Sequence, residues 1–71
     1  MMYEEALAAY DECLRIDPKY VDAWNNKGIA LKDLRRYEEA LAAYDECLRI
    51  DPGHLLARSN RDITLRRLKN K

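Results

Sequence analysis

Residues 3–18 read YEEALAAYDECLRIDP, and residues 37–52 read YEEALAAYDECLRIDP again. All 16 positions agree, at an offset of 34. A fixed period of about 20–50 residues marks a stacked repeat architecture, in which each unit buries its apolar face only against its neighbours. A weaker echo runs on at the same offset: Ala23, Asn26, Ile29, Leu31 and Leu34 return as Ala57, Asn60, Ile63, Leu65 and Leu68. Drift separates copies, so an identical block points to recent duplication or deliberate construction.

Each copy is patterned as a helix. Ala6, Leu7, Tyr10, Cys13 and Leu14 follow the i, i+3, i+4, i+7 spacing of an amphipathic helix with one apolar face. Asp17-Pro18 stops it, because the residue before proline avoids the helical region. Pro18 suits the first turn of the next helix, with Asp17 as its cap. Arg35-Arg36 forms a short turn, and Asp51-Pro52-Gly53 repeats the stop. The prediction is four helices, at 2–16, 19–34, 37–50 and 54–69, with short connections that make consecutive helices antiparallel neighbours. Two Gly, two Pro and no Phe in 71 residues leave little to support strands, so the fold class is all-α. A core this small contributes about 3–5 kcal/mol.

The residues inside the period resemble the tetratricopeptide repeat (TPR), whose pattern is Trp-x2-Leu-Gly-x2-Tyr, then Ala-x3-Phe, then Pro. Trp24, Gly28, Ala40 and Pro52 match it, and Tyr44 stands for the Phe. Lys27 replaces the Leu and Leu31 the Tyr. With A and B denoting the two helices of a repeat, the resemblance implies B-A-B-A phasing in one domain over 1–71: a half repeat at 1–20, a complete repeat at 21–54, and a half repeat or capping helix at 55–71. It implies a fragment of an α-α superhelix with Trp24, Ala40, Tyr44 and Leu48 buried. Gly28 is expected to face Ala40 and Ala43 and let two helices approach closely. In the last helix the equivalents of Trp24 and Gly28 are Arg58 and Asp62, polar residues suited to an end of the array.

In the family, A helices line a concave face that holds extended peptides. The matching positions are Asp22, Asn25, Asn26, Ile29, Lys32 and Asp33, followed by Leu56, Ser59, Asn60, Ile63, Arg66 and Arg67. Some members clamp a terminal carboxylate. Asn26 and Asn60 match the middle Asn of that clamp, whereas Asn25 and Ile29 stand where its first helix has Lys and Asn. The resemblance therefore implies a protein–protein interaction or scaffolding module with a protein or peptide partner, and no enzyme. The alternative is a self-assembling structural unit, natural or engineered. The first helix lacks a preceding A helix, so Ala6, Tyr10 and Cys13 form a candidate self-association face, suited to a homodimer.

Charge and chemistry narrow the rest. Thirteen acidic and 13 basic residues cancel, but residues 1–17 carry Glu4, Glu5, Asp11, Glu12 and Asp17 against one Arg15, and residues 58–71 carry Arg58, Arg61, Arg66, Arg67, Lys69 and Lys71 against one Asp62. The basic tail complements a helix C-terminus. No aromatic is interleaved to stack a base, so no nucleic acid is expected. Cys13 and Cys47 are one repeat apart, and packed helix axes lie about 8–10 Å apart. A disulfide needs Cα atoms within about 7 Å, so both cysteines are expected as unbridged core residues. Two Cys and His54 offer no zinc spacing, and no metal or cofactor is expected. Glu4-Glu5 and Glu38-Glu39 lie in first helical turns, where negative charge suits the dipole, and neighbouring side chains diverge. Catalysis is therefore not expected, and His54 reads as an exposed bystander. No apolar run approaches the ~20 residues of a membrane span. Met1-Met2-Tyr3 leads straight into Glu4-Glu5, which suggests a cytoplasmic protein.

Overall fold

The computed structural model describes residues 3–70. It contains four helices: α1 (Tyr3–Ile16), α2 (Val21–Asp33), α3 (Tyr37–Ile50) and α4 (Leu55–Lys69). No strand occurs among the described residues. The expected start of the first helix at residue 2 lies outside them. The other boundaries fall within two residues of the expected ones, and the largest difference has a local cause. Oδ1 of Asp17 accepts from the Lys19 amide at 3.1 Å, and the Asp17 carbonyl accepts from the Tyr20 amide at 3.1 Å. Asp17 thus caps a turn instead of a helix, Pro18 sits in that turn, and α2 begins only at Val21. Tyr20 is its N-cap, with no side-chain cap bond. Asp51 repeats the turn through the Gly53 amide, at 3.2 Å.

The turn after α2 closes with bonds from Arg35 N to Lys32 O and from Arg36 N to Leu31 O, both 2.9 Å. Such wrapped C-termini place the residue past the helix in the left-handed region, usually a glycine. Here that residue is Arg35, at φ 62, the one positive φ among the described residues.

α2 is the hub. It packs most extensively on α3, also on α1, and touches α4, while the backbones of α1 and α3 do not approach closely among the described residues. This makes two layers, α2 with α4 and α1 with α3, consistent with a chain only 14 Å thick in its smallest Cα extent. Leu7, Ala30, Leu31, Ala40, Ala43 and Tyr44 form the core, with Tyr10, Trp24, Ile29 and Leu34 packed at its margin.

Ala40 and Tyr44 are buried as expected, but Trp24 and Leu48 are only half-buried. The Trp24 indole reaches outward to the loop, its Nε1 donating to the Pro18 carbonyl at 2.8 Å, and Lys27 Nζ lies 5.4 Å from its ring centroid. Leu48 borders an open depression between α3 and α4, whose lining of Asp45, Arg58, Arg61 and Asp62 covers it incompletely. Nearest to Gly28 is the Tyr44 ring: a Cβ at residue 28 would lie 2.6 Å from Tyr44 Cδ1 and 2.7 Å from Cζ. The volume of the aromatic ring explains the glycine. Cys13 and Cys47 are both free; Cys47 is fully buried but Cys13 only half-buried, since among the described residues α2 alone packs on α1.

Candidate protein-interaction surface

The concave-face candidates divide into those held by the fold and those left open. Asn25 is buried, and its Oδ1 accepts from Asn60 Nδ2 at 3.1 Å. That bond ties α2 to α4, so Asn25 is withdrawn from solvent and Asn60 is half-buried. An amide buried without a partner would cost about 1–3 kcal/mol, which makes each asparagine the other's requirement. Asp22 is exposed but engaged: its Oδ1 lies 3.2 Å from His54 Nε2. His54 is no bystander. Its Nδ1 accepts from the Ala57 amide at 3.1 Å and so caps α4. Because Nδ1 accepts, the neutral ring carries its proton on Nε2, aimed at Asp22.

The remainder is open. Asn26, Asp33 and Ser59 are exposed, and Ile29, Lys32 and Ile63 are half-buried. Tyr3, Ala6 and Tyr10 of α1 join Asn26, Ile29, Ala30 and Asp33 of α2 in one largely apolar groove. The expected peptide face and the expected self-association face therefore meet there, although Cys13 does not line it. Every groove residue has a counterpart 34 positions on. Ala6 and Tyr10 correspond to Ala40 and Tyr44, which α2 covers; on α1 the same surface is uncovered. A second bay lies at the C-terminal ends of α2 and α4, lined by Lys32, Asp33, Arg35, Tyr37, Arg66 and Arg67.

Two features escape a reading of the sequence by types alone. Lys27 Nζ pairs with Asp11 at 2.8 Å, and Arg61 Nε with Asp45 at 2.6 Å. These are one ion pair repeated at the offset of 34, joining α1 to α2 and α3 to α4. The signal was present in the paired recurrence of Asp11 with Asp45 and Lys27 with Arg61. The aspartates are more than half exposed, so each pair contributes little to stability, about 0–1 kcal/mol, and acts mainly on register. The second feature is the Tyr44 hydroxyl. The ring is fully buried and its oxygen has no hydrogen-bond partner. The Thr64 hydroxyl beside it gives its proton to the Asn60 carbonyl, at 2.7 Å. Burial raises the Tyr44 pKa; Thr64 acts in the lowering direction, and Asp33 adds to the rise. Burial likewise raises the Cys47 thiol, with Asp51 and Asp22 adding to it.

Among the described residues, no group of three or more His, Cys, Asp or Glu is placed to hold a metal ion. No helix among the described residues is long and apolar enough to cross a membrane. No curated protein matches the chain. A tetratricopeptide-repeat model matches residues 21–54, and a second TPR-repeat model matches residues 2–35, so the two together run from 2 to 54. Members of that family are generally non-catalytic protein-interaction or scaffold modules. Four antiparallel helices, the 34-residue period and both matches lead to one assignment: the chain belongs to the tetratricopeptide-repeat family.

Proposed function

We propose that this chain is a non-catalytic interaction module that holds a peptide segment of a partner protein along the open face of α2 and α4. The observation that carries the reading is the groove where Tyr3, Ala6 and Tyr10 face Asn26, Ile29 and Asp33. It combines apolar anchoring surface with polar groups that no internal bond consumes. Asn25 is excluded from the contact set, since Asn60 occupies it, and Asp22 contributes only by giving up His54. Asn26, Ile29, Lys32, Asp33, Ser59 and Ile63 remain, with Leu56, 67% exposed, as an apolar foothold near the start of α4. The test is a titration of isotope-labelled protein with a panel of short peptides. Amide shifts at Asn26, Ile29 and Ile63 support the reading; a panel that leaves all three unmoved removes it.

A second reading is a self-associating unit, and one observation favours it: α1 presents the residues that on α3 are covered by α2, with no helix over them. Head-to-tail stacking would place α4 of one copy on α1 of the next. It would then set Asp62 against Tyr10, where the intact seam has Gly28 against Tyr44. The aspartate side chain has no room there, so the form this reading supports is a closed twofold dimer. Sedimentation equilibrium at tens of micromolar separates the two readings.

A further inference from the structure

Four cations converge where the C-terminal ends of α2 and α4 meet the turn after α2. Lys32, Arg35, Arg66 and Arg67 line a bay of about 750 Å³, with Asp33 as the one carboxylate among the described residues that line it. None of the four is in an ion pair among the described residues, whereas Arg15, Lys27, Arg36, Arg49 and Arg61 each have a carboxylate within reach. Helix dipoles alone account for cations at Lys32, Arg66 and Arg67. They do not account for Arg35, which lies beyond the end of α2 in left-handed backbone at φ 62. Glycine takes that conformation freely and arginine takes it against steric resistance. Glycine is the usual residue at that position of a helix end. Strain retained beside a cluster of unpaired charge points to a ligand.

We propose that this bay binds the carboxylates of an acidic segment in a partner protein. Guanidinium forks pair with carboxylates through two parallel hydrogen bonds, and three arginines are available. Tyr3 and Tyr37, which also line the bay, offer ring surface to the methylenes of a glutamate. The proposal rests on the peptide-holding reading above and gives that peptide an anionic anchor at one end. A continuous polyanion suits the surface poorly. Asp33 stands in the bay, Asp22 lies at the far end of α2, and the half-buried, apolar Ile29 and Ile63 lie along the helices between. A peptide with acidic residues at one end and apolar residues following them matches that order.

The test uses the isotope-labelled chain and three probes: a short end-blocked peptide with glutamates at one end and leucines at the other, the same peptide with glutamine for glutamate, and a single-stranded oligothymidylate of equal charge. The glutamate peptide should shift the amides of Lys32, Arg35, Arg66 and Arg67, and its binding should weaken as salt rises from about 50 to about 300 mM. The double substitution R66Q/R67Q should weaken it about tenfold, the loss of roughly one charged hydrogen bond, while the fold persists with a slightly lower thermal midpoint, since both side chains are exposed and only their interaction with the α4 dipole is lost. The glutamine peptide should leave the bay unmoved. Shifts confined to Asn26, Ile29 and Ile63 that survive R66Q/R67Q would overturn the bay while keeping the concave-face reading. No shift anywhere would overturn both. Tighter binding of oligothymidylate than of the glutamate peptide at the bay would make it a nucleic-acid site and overturn the proposal.

Discussion

The ring of Tyr44 occupies the space that a side chain at residue 28 would need, so Gly28 and Tyr44 form a single fitted contact between α2 and α3. In an open helix, Gly→Ala stabilises by about 1 kcal/mol. Here the added methyl meets a fully buried ring with nowhere to withdraw. Overpacking typically costs about 1–3 kcal/mol, and the upper part of that range exceeds the gain in propensity. Gly28→Ala should therefore destabilise by about 1–2 kcal/mol net in urea titration. Combining it with Tyr44→Leu should recover part of the loss, because contacting residues couple. Stabilisation by the single variant would show that the ring does not sit over the glycine.

Tyr44→Phe tests the orphan hydroxyl. A buried polar group without a partner costs about 1–3 kcal/mol, so its removal should stabilise the chain by about 1 kcal/mol at neutral pH. The family pattern itself has Phe at this position. The pH dependence gives a second readout. Burial raises the Tyr44 pKa, so above the unfolded phenol's value of about 10 the unfolded chain has released a proton that the folded chain keeps. The unfolded state then binds fewer protons, and stability falls as pH rises. The Tyr44 contribution is complete below about pH 10 and lost above it. The variant should have a shallower alkaline limb; what remains includes Cys47, whose thiol is raised in the same sense. Equal alkaline slopes in the two proteins would mean that Tyr44 is solvated.

Arg35→Gly should act in opposite directions on stability and binding. Relieving a left-handed non-glycine residue at φ 62 should stabilise by about 1 kcal/mol. The same change removes a cation from the bay and should weaken the acidic peptide. Thermal melts and peptide titrations on one preparation give both numbers. A variant no more stable than the parent would show that the turn carries no strain.

The 34-residue echo makes the number, order and stops of the helices legible, because identical residues meet nearly identical neighbours within the array. It does not convey what differs between the copies. Tyr20 and His54 occupy the same position, yet only the imidazole presents an acceptor to the helix that follows. Asn25 looks solvent-facing by its position on α2, yet the close approach of α4 turns it into one half of a buried amide pair. The apolar character of Trp24 suggests deep burial, but its indole N–H needs a partner and finds one at the loop, which draws the ring toward the surface. The bay is invisible to motif reading, since Lys32 and Arg35 are more than 30 positions from Arg66 and Arg67 and only the fold brings them together.

His54→Ala should cost about 1 kcal/mol, the usual value of an N-cap side chain, with a smaller addition from the exposed tie to Asp22. His54→Asn keeps an acceptor for the Ala57 amide but is too short to reach Asp22, so it should recover most of the loss. Hydrogen exchange at the first turn of α4 checks this directly. Equal protection in the parent and the alanine variant would show that the ring does not cap the helix.

The two cysteines report on whether the α1 face is covered. They sit at the same position of two helices with identical sequence, yet Cys47 is fully buried and Cys13 half-buried. The thiolate is the reactive form, and burial raises the Cys47 pKa, so Cys47 is both inaccessible and less ionised. Iodoacetamide should therefore modify Cys13 first, with Cys47 following only at the rate of global opening. At low protein concentration that ratio should be large. Docking of a second copy over Ala6, Tyr10 and Cys13 would slow Cys13 as protein concentration rises, by mass action. An interaction module with a free groove predicts a Cys13 rate independent of concentration. It also predicts a rate that drops when a peptide fills the neighbouring surface at Tyr10 and Ile29. Concentration-dependent protection of Cys13 would transfer support from the module to the closed dimer, and equal rates at the two cysteines would contradict the burial difference on which both readings depend.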